Sequence, residues 1–305
     1  MRNIKLVIEY DGTNFSGWQE QRGSVRPCVA REETCQTSWH ATAPDPNKEL
    51  GRSVRIGRMP LHGAAGPVPT VQAYLREAVH KVAGEWVAIY GASRTDAGVH
   101  ALGQVANFKT SSKLPVERFV PALNYYLPRE IVVRCAEEVT AEFHAQYSAR
   151  SKVYRYTILN DPIAKAINRN LYYHFPWPIN LESMREAARG LLGKHSFKAF
   201  CVEASSKANT IRTIKSFEII KEDLPAACGS GRYLYLVVEA DGFLYKMIRG
   251  IVGTLLLVGS GKMGIAEFKR VVESRDRCLA GSTAPAKGLC LLKVNYEEDG
   301  AWRGK

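Results

Sequence analysis

Apolar and polar residues alternate along Ile4-Lys-Leu-Val-Ile-Glu-Tyr10, which predicts a half-buried strand over residues 3–10. The period changes at Thr70. Val71, Leu75, Val79 and Val82 fall on one face at helical spacing, so 70–82 reads as a helix. Residues 103–109 and 131–139 read as strands, with a helix between them from Pro115 to Leu127, opened by its proline. Val153 to Leu159 alternates as a strand does. The second half repeats this grammar. Helices are predicted at Leu181–Leu192, Phe243–Val258 and Ile265–Ser274, and strands at Ile211–Ile220, Tyr233–Ala240 and Leu289–Tyr296. This order predicts an α+β fold with mainly antiparallel sheets flanked by helices, divided into two domains.

Residues 22–69 follow neither period. These 48 residues are rich in proline, glycine and arginine and poor in apolar repeats. Structureless loops of this length are uncommon inside a compact domain, so the segment reads as a poorly ordered insertion. Its arginines support an RNA-contacting arm as the alternative. Cys28, Cys35, His40 and His62 are of zinc-ligand type, but their spacing matches no structural zinc pattern, and no metal site is expected.

The chain has 305 residues, 46% of them hydrophobic, enough for one large or two medium cores. Lys and Arg number 42 against 30 Asp and Glu, a formal charge of +12. Such a balance points to a polyanionic partner, because each neutralised phosphate releases counterions. An anionic membrane surface is the competing reading, but no amphipathic basic helix or lipidation motif stands out. The most apolar stretch, Ile248 to Val258, is interrupted by Arg249 and is too short to span a bilayer. Met1 leads directly into the first strand, so no secretory leader is expected. The seven cysteines are scattered without a Cys-x-x-Cys, which fits free thiols in a reducing, cytoplasmic compartment.

Candidate chemistry concentrates in Gly91-Ala-Ser-Arg-Thr-Asp-Ala-Gly-Val-His100 and the alternating run that follows it to Phe108. Arg94 and Asp96 sit two residues apart among small, Gly-flanked positions. That is what a reactive acid needs when a bulky substrate must approach the backbone closely. Taken alone, an Arg-x-Asp pair is ordinarily a surface ion pair of little energetic weight. Residue for residue, however, the stretch resembles the signature of tRNA pseudouridine synthases of the TruA family. Further matches are Tyr10-Asp-Gly-Thr-Asn-Phe-Ser-Gly-Trp-Gln19, Thr70-Val-Gln72, Phe143-His-Ala145, Ser151-Lys-Val-Tyr-Arg-Tyr156, Gly242-Phe-Leu-Tyr-Lys-Met-Ile-Arg-Gly250 and Gly281-Ser-Thr-Ala-Pro-Ala-Lys-Gly-Leu289. The resemblance covers nearly the whole chain outside 22–69. It departs at Gln146, where arginine is usual, and at Ser196, where aspartate is common.

The resemblance implies two similar domains meeting at an active-site cleft, about 1–110 and 150–305, with 111–149 connecting them. It implies isomerisation of uridine to pseudouridine at positions 38, 39 and 40 of the tRNA anticodon stem-loop by a homodimer. Asp96 matches the catalytic aspartate. Arg249 matches the arginine paired with it, and Tyr154 the tyrosine that stacks on the target base. A solvated helix arginine and a core tyrosine are the ordinary readings of the last two residue types, but Arg249 lies on an otherwise apolar helix, where burial without a partner is costly. Tyr156 is read as structural. The reaction oxidises nothing and adds no atoms, so no cofactor is expected. Extruding the stacked uridine assigns Arg94 to the vacated space or a phosphate, and Arg150, Lys152, Arg155 and Lys246 to backbone phosphates. The rival readings are a catalytically inactive tRNA-binding or chaperone protein and a small-molecule glycosidase. The intact Asp96, Tyr154 and Arg249 weigh against the first. The missing second carboxylate motif and the +12 charge weigh against the second.

Overall fold

The computed structural model describes residues 1–19, 70–202, 209–225 and 231–297. The segment read as an insertion, with Cys28, Cys35, His40 and His62, lies outside the described residues. The chain begins with β1 (Arg2–Tyr10), α1 (Val71–Ala83), β2 (Tyr90–Gly91), β3 (His100–Thr110), α2 (Val116–Tyr126) and β4 (Ile131–Val139). It continues with β5 (Ala149–Asn160), β6 (Tyr173–His174), α3 (Leu181–Arg189), β7 (Gly193–Ser196), β8 (Ile211–Asp223) and β9 (Arg232–Ala240). It closes with α4 (Met247–Gly259), α5 (Ile265–Ser274) and β10 (Leu289–Tyr296). The fold is α+β.

Local chemistry sets the helix ends. Thr70 caps α1 by accepting the Ala73 N–H, and Gly84 ends it in the left-handed conformation. Asn180 caps α3 in the same way through the Ser183 N–H, and the helix stops at Arg189, three residues short of the predicted end, before Gly190. The apolar helix predicted from Phe243 starts only at Met247, because Lys246 turns the chain with a φ of 59°.

The strands hydrogen-bond into one sheet, ordered β4-β1-β3-β10-β5-β9-β8-β7, with β2 beside β3 and β6 beside β5. Pairing is antiparallel except at β3–β10 and β5–β6. Along β1, Ile4, Leu6, Ile8 and Tyr10 are buried on one face, and along β9 Leu234, Leu236, Val238 and Ala240. That face carries the core. Residues between them are half-exposed, the alternation of an antiparallel sheet covered on one side.

The sheet has a seam. β4, β1 and β3 form one wing, and β10, β5, β9, β8 and β7 the other. They join through the short parallel register Cys290↔His100 and Leu291↔Ala101. Gly103 permits the approach, since a Cβ there would stand 2.4 Å from the Leu292 carbonyl oxygen. Among the described residues no helix is long and apolar enough to cross a membrane.

Candidate active site at the sheet seam

A cleft of about 660 Å³ opens beside the seam. One wall is the loop that joins β2 to β3, from Gly91 to Val99, and the other is the turn Phe243–Lys246 before α4. Lys152 and Tyr154 of β5 also line it.

Asp96 sits on the β2–β3 loop, and the loop is fixed from several sides. The Trp18 N–H donates to the Thr95 carbonyl at 3.1 Å, and the Val99 N–H to the Asp96 carbonyl at 3.2 Å. The hydroxyls of Tyr10 and Thr95 are 2.8 Å apart. Gln104, fully buried on β3, receives the Ser93 N–H at 3.2 Å and donates to the Ser93 carbonyl at 2.7 Å. Gly17 has a φ of +93°, and a Cβ there would stand 2.6 Å from the Thr95 oxygen. The N-terminal Gly-Trp segment thus packs directly against the backbone of the loop.

Arg249 approaches Asp96 from the other wing, on the first turn of α4. Its Nη1 donates to Asp96 Oδ2 at 2.7 Å, with the two side chains 14% and 16% exposed. Its Nε donates to the Ala284 carbonyl at 2.7 Å, and the Ala284 N–H returns to the Arg249 carbonyl at 3.0 Å. A guanidinium held at both ends and mostly withdrawn from water aims the carboxylate far more strongly than a surface pair does. Among the described residues the second oxygen of Asp96 has no hydrogen-bond partner, and Asp96 lines the cleft while Arg249 does not.

Tyr154 is 5% exposed. Its hydroxyl lies 2.8 Å from Ser93 Oγ, and its ring meets Phe243 edge to face at 5.1 Å. Burial pushes the phenol well above the ordinary tyrosine range, and the Asp96 charge pushes the same way. The hydroxyl therefore stays protonated at neutral pH. Tyr156 is fully buried and donates to the Pro285 carbonyl at 2.7 Å, so it belongs to the core.

The structure brings together Asp96, Tyr154, Arg94, Lys152 and Lys246 at the cleft, with Arg249 beneath Asp96. Arg94 is exposed. Lys152 is pushed down to about 8 by burial, with Arg212 adding to the effect. Arg150 and Arg155 do not line the cleft. Arg150 pairs with Glu297 at 2.5 Å. Arg155 alternates with Tyr154 on β5, so it faces the other side of the sheet, over the Tyr235 ring at 5.4 Å. Sequence reasoning passed over Ser93, Gln104 and Phe243. All three lie inside the stretches already quoted, so proximity in sequence was the available signal.

The family profile described as tRNA pseudouridine synthase matches residues 61–148 and 187–297. The chain is 42% identical over 296 residues to the tRNA pseudouridine synthase A of Thermoanaerobacter sp. (strain X514), covering 97% of this chain and 100% of that protein. It is 40% identical over 296 residues to the tRNA pseudouridine synthase A of Acetivibrio thermocellus, with the same coverage. The tRNA pseudouridine synthase A 2 of Clostridium perfringens is 42% identical over 296 residues, again covering 97% and 100%.

Proposed function

The chain belongs to the tRNA pseudouridine synthase family, and from that premise we propose that it isomerises uridines in the anticodon stem-loop with Asp96 as nucleophile and without a cofactor. The enzyme is an isomerase acting on tRNA. One observation carries the finer reading. Among the described residues a single carboxylate opens into a cleft whose other ionisable side chains are cationic or phenolic, and an arginine held at two points secures it from below.

The bond balance fits a single acid. The N1–C1′ bond of uridine breaks and a C5–C1′ bond forms. The proton leaves C5 and one returns to N1, with no net change in oxidation. Asp96 Oδ2 is engaged by Arg249, which leaves Oδ1 to act at the sugar. The protonated Tyr154 hydroxyl, relayed to Ser93, stands where a base in the cleft would meet it, and its ring offers a stacking face. Arg94, exposed at the mouth, fills the space left by an extruded base or grips the flanking phosphate. Lys152 and Lys246 supply further phosphate contacts. Modification at positions 38, 39 and 40 requires recognition by shape with little base readout. The same reading takes the two wings as domains over about 1–110 and 150–305, and the protein as a cytoplasmic homodimer.

The test is tritium release from tRNA labelled at uridine C5. Asp96→Asn is expected to abolish release while tRNA affinity changes by less than about threefold, since phosphate contacts dominate binding. Retention of more than about a tenth of wild-type turnover by Asp96→Asn would overturn the nucleophile assignment.

A further inference from the structure

Three aromatic rings stand in a row outside the cleft, two of them, Tyr90 and His144, lining a second pocket of about 400 Å³, and the chemistry above does not use them. The Tyr90 ring centre lies 4.8 Å from that of His144, and His144 lies 4.4 Å from Tyr147. Tyr147 is 79% exposed and Tyr90 44% exposed. A ring that open gains almost nothing from burial, so packing does not explain it.

The turn that presents Tyr147 is nonetheless tightly built. His144 Nδ1 accepts the N–H groups of Gln146 at 3.2 Å and Tyr147 at 3.3 Å. Ser148 Oγ accepts the His144 N–H at 3.1 Å, and the Ser148 N–H donates to the His144 carbonyl at 2.9 Å. Ala145 is fully buried. Its N–H donates to Asn107 Oδ1 at 2.9 Å, and its carbonyl accepts the Tyr296 hydroxyl at 2.7 Å. The entropy of placing the Tyr147 backbone is therefore already spent in folding, which is the preorganisation a binding surface needs.

The row adjoins the cleft through the backbone. Gly91 and Gln146, the chain neighbours of Tyr90 and Tyr147, both line it. Among the described residues, the cleft beside it carries Arg94, Lys152 and Lys246 against the one carboxylate of Asp96. A strand laid across that cationic floor brings its next base over the rings. We infer that Tyr90, His144 and Tyr147 form a stacking platform for an unpaired tRNA base next to the uridine held in the cleft. The inference rests on the proposed reading of the cleft. Extruding one nucleotide strips its neighbour of a stacking partner, and an aromatic face replaces that partner for any base. A sequence-tolerant platform also suits an enzyme that accepts several adjacent sites.

The experiment compares Tyr147→Ala, Tyr147→Leu and Tyr147→Phe on an anticodon stem-loop RNA. It reads C5 tritium release, and, in parallel, the fluorescence of 2-aminopurine placed beside the target uridine. Tyr147→Ala and Tyr147→Leu are expected to raise KM about tenfold with kcat within twofold, and to lose the fluorescence change on binding. Tyr147→Phe is expected to restore both. Three results would overturn the platform: KM within twofold of wild type for Tyr147→Ala, full rescue by Leu, or a changed oligomeric state showing that a second copy covers the rings. Absence of tritium release from the wild type would instead remove the reading of the cleft. The fluorescence arm would still judge the platform.

Discussion

Replacing Gln104 with Leu tests whether the active loop is held from beneath. The side chain is fully buried, and its amide closes a two-point clamp on Ser93, accepting at 3.2 Å and donating at 2.7 Å. It also reaches the Tyr10 hydroxyl at 3.5 Å, the same hydroxyl that meets Thr95. Leucine has a similar volume, so little cavity forms. The loss is instead the stranding of the Ser93 N–H and carbonyl in a buried setting. Each unsatisfied buried group costs about 1–3 kcal/mol, so the variant should be about 2–6 kcal/mol less stable. For a protein of this size that is a fall in Tm of roughly 3–10 °C. Ser93 also positions Tyr154, and Thr95 precedes Asp96, so turnover should drop at least tenfold at a temperature where the variant is fully folded. Thermal unfolding and single-turnover tritium release measure the two effects. A Tm within 2 °C of wild type, together with an unchanged single-turnover rate, would refute the clamp.

Gly17→Ala should reduce kcat more than tenfold with tRNA affinity within threefold. A left-handed φ costs a non-glycine residue about 1–2 kcal/mol, and the added Cβ must displace the Thr95 carbonyl beside Asp96; steady-state kinetics decides it. Arg249→Lys should lower kcat about a hundredfold, because an ammonium on a flexible stem does not reproduce the two-point hold on Asp96 and Ala284. A kcat within threefold of wild type would show that a point charge suffices. Lys152 predicts two pH effects. Its cation is lost as pH rises through about 8, so kcat/KM for tRNA should fall there in wild type and stay flat in Lys152→Arg. Because the folded value lies below the ordinary 10.5, the unfolded chain binds more protons between about pH 8 and 10.5, and stability from this group rises across that window. The rise amounts to about 3 kcal/mol, and Lys152→Met should lack it in denaturant titrations.

The sequence reading of elements and the structure agree where a local signal exists. β4, α5 and β10 fall on the predicted residues. α4 begins four residues late because hydrophobicity continues through Phe243–Tyr245 while Lys246 reverses the chain, and periodicity does not register a backbone angle. The short strands β2, β6 and β7, of two to four residues, are too brief to display a period. The β3–β10 pairing joins residues about 190 positions apart through two register pairs, with only Gly103 marking the close approach. At the site, Asp96, Tyr154 and Arg249 were legible through the motifs of a family. Arg155 illustrates a signal present but unused. Strand alternation already opposed it to Tyr154, and the structure places it over Tyr235 on the other face. Gln104 lies inside the quoted stretch, but its role was not legible there, because a buried glutamine's role is recognisable only from the backbone groups it satisfies.

Those placements put the Asp96–Arg249 pair where the two wings join through only two register pairs. Asp96 ends its loop just before β3, and Arg249 stands on the helix that follows β9, so the pair crosses from one wing to the other. Ala284, which fixes the second arm of Arg249, lies just before β10, the strand that closes the seam. Arg249 is thus anchored within its own wing, and docking β10 against β3 brings Asp96 to it in the same step that joins the wings. A mostly withdrawn carboxylate without that arginine would bear a desolvation cost with nothing to offset it. The geometry makes assembly of the site conditional on assembly of the sheet: a chain whose wings have not met holds neither the Asp96–Arg249 pair nor the cleft.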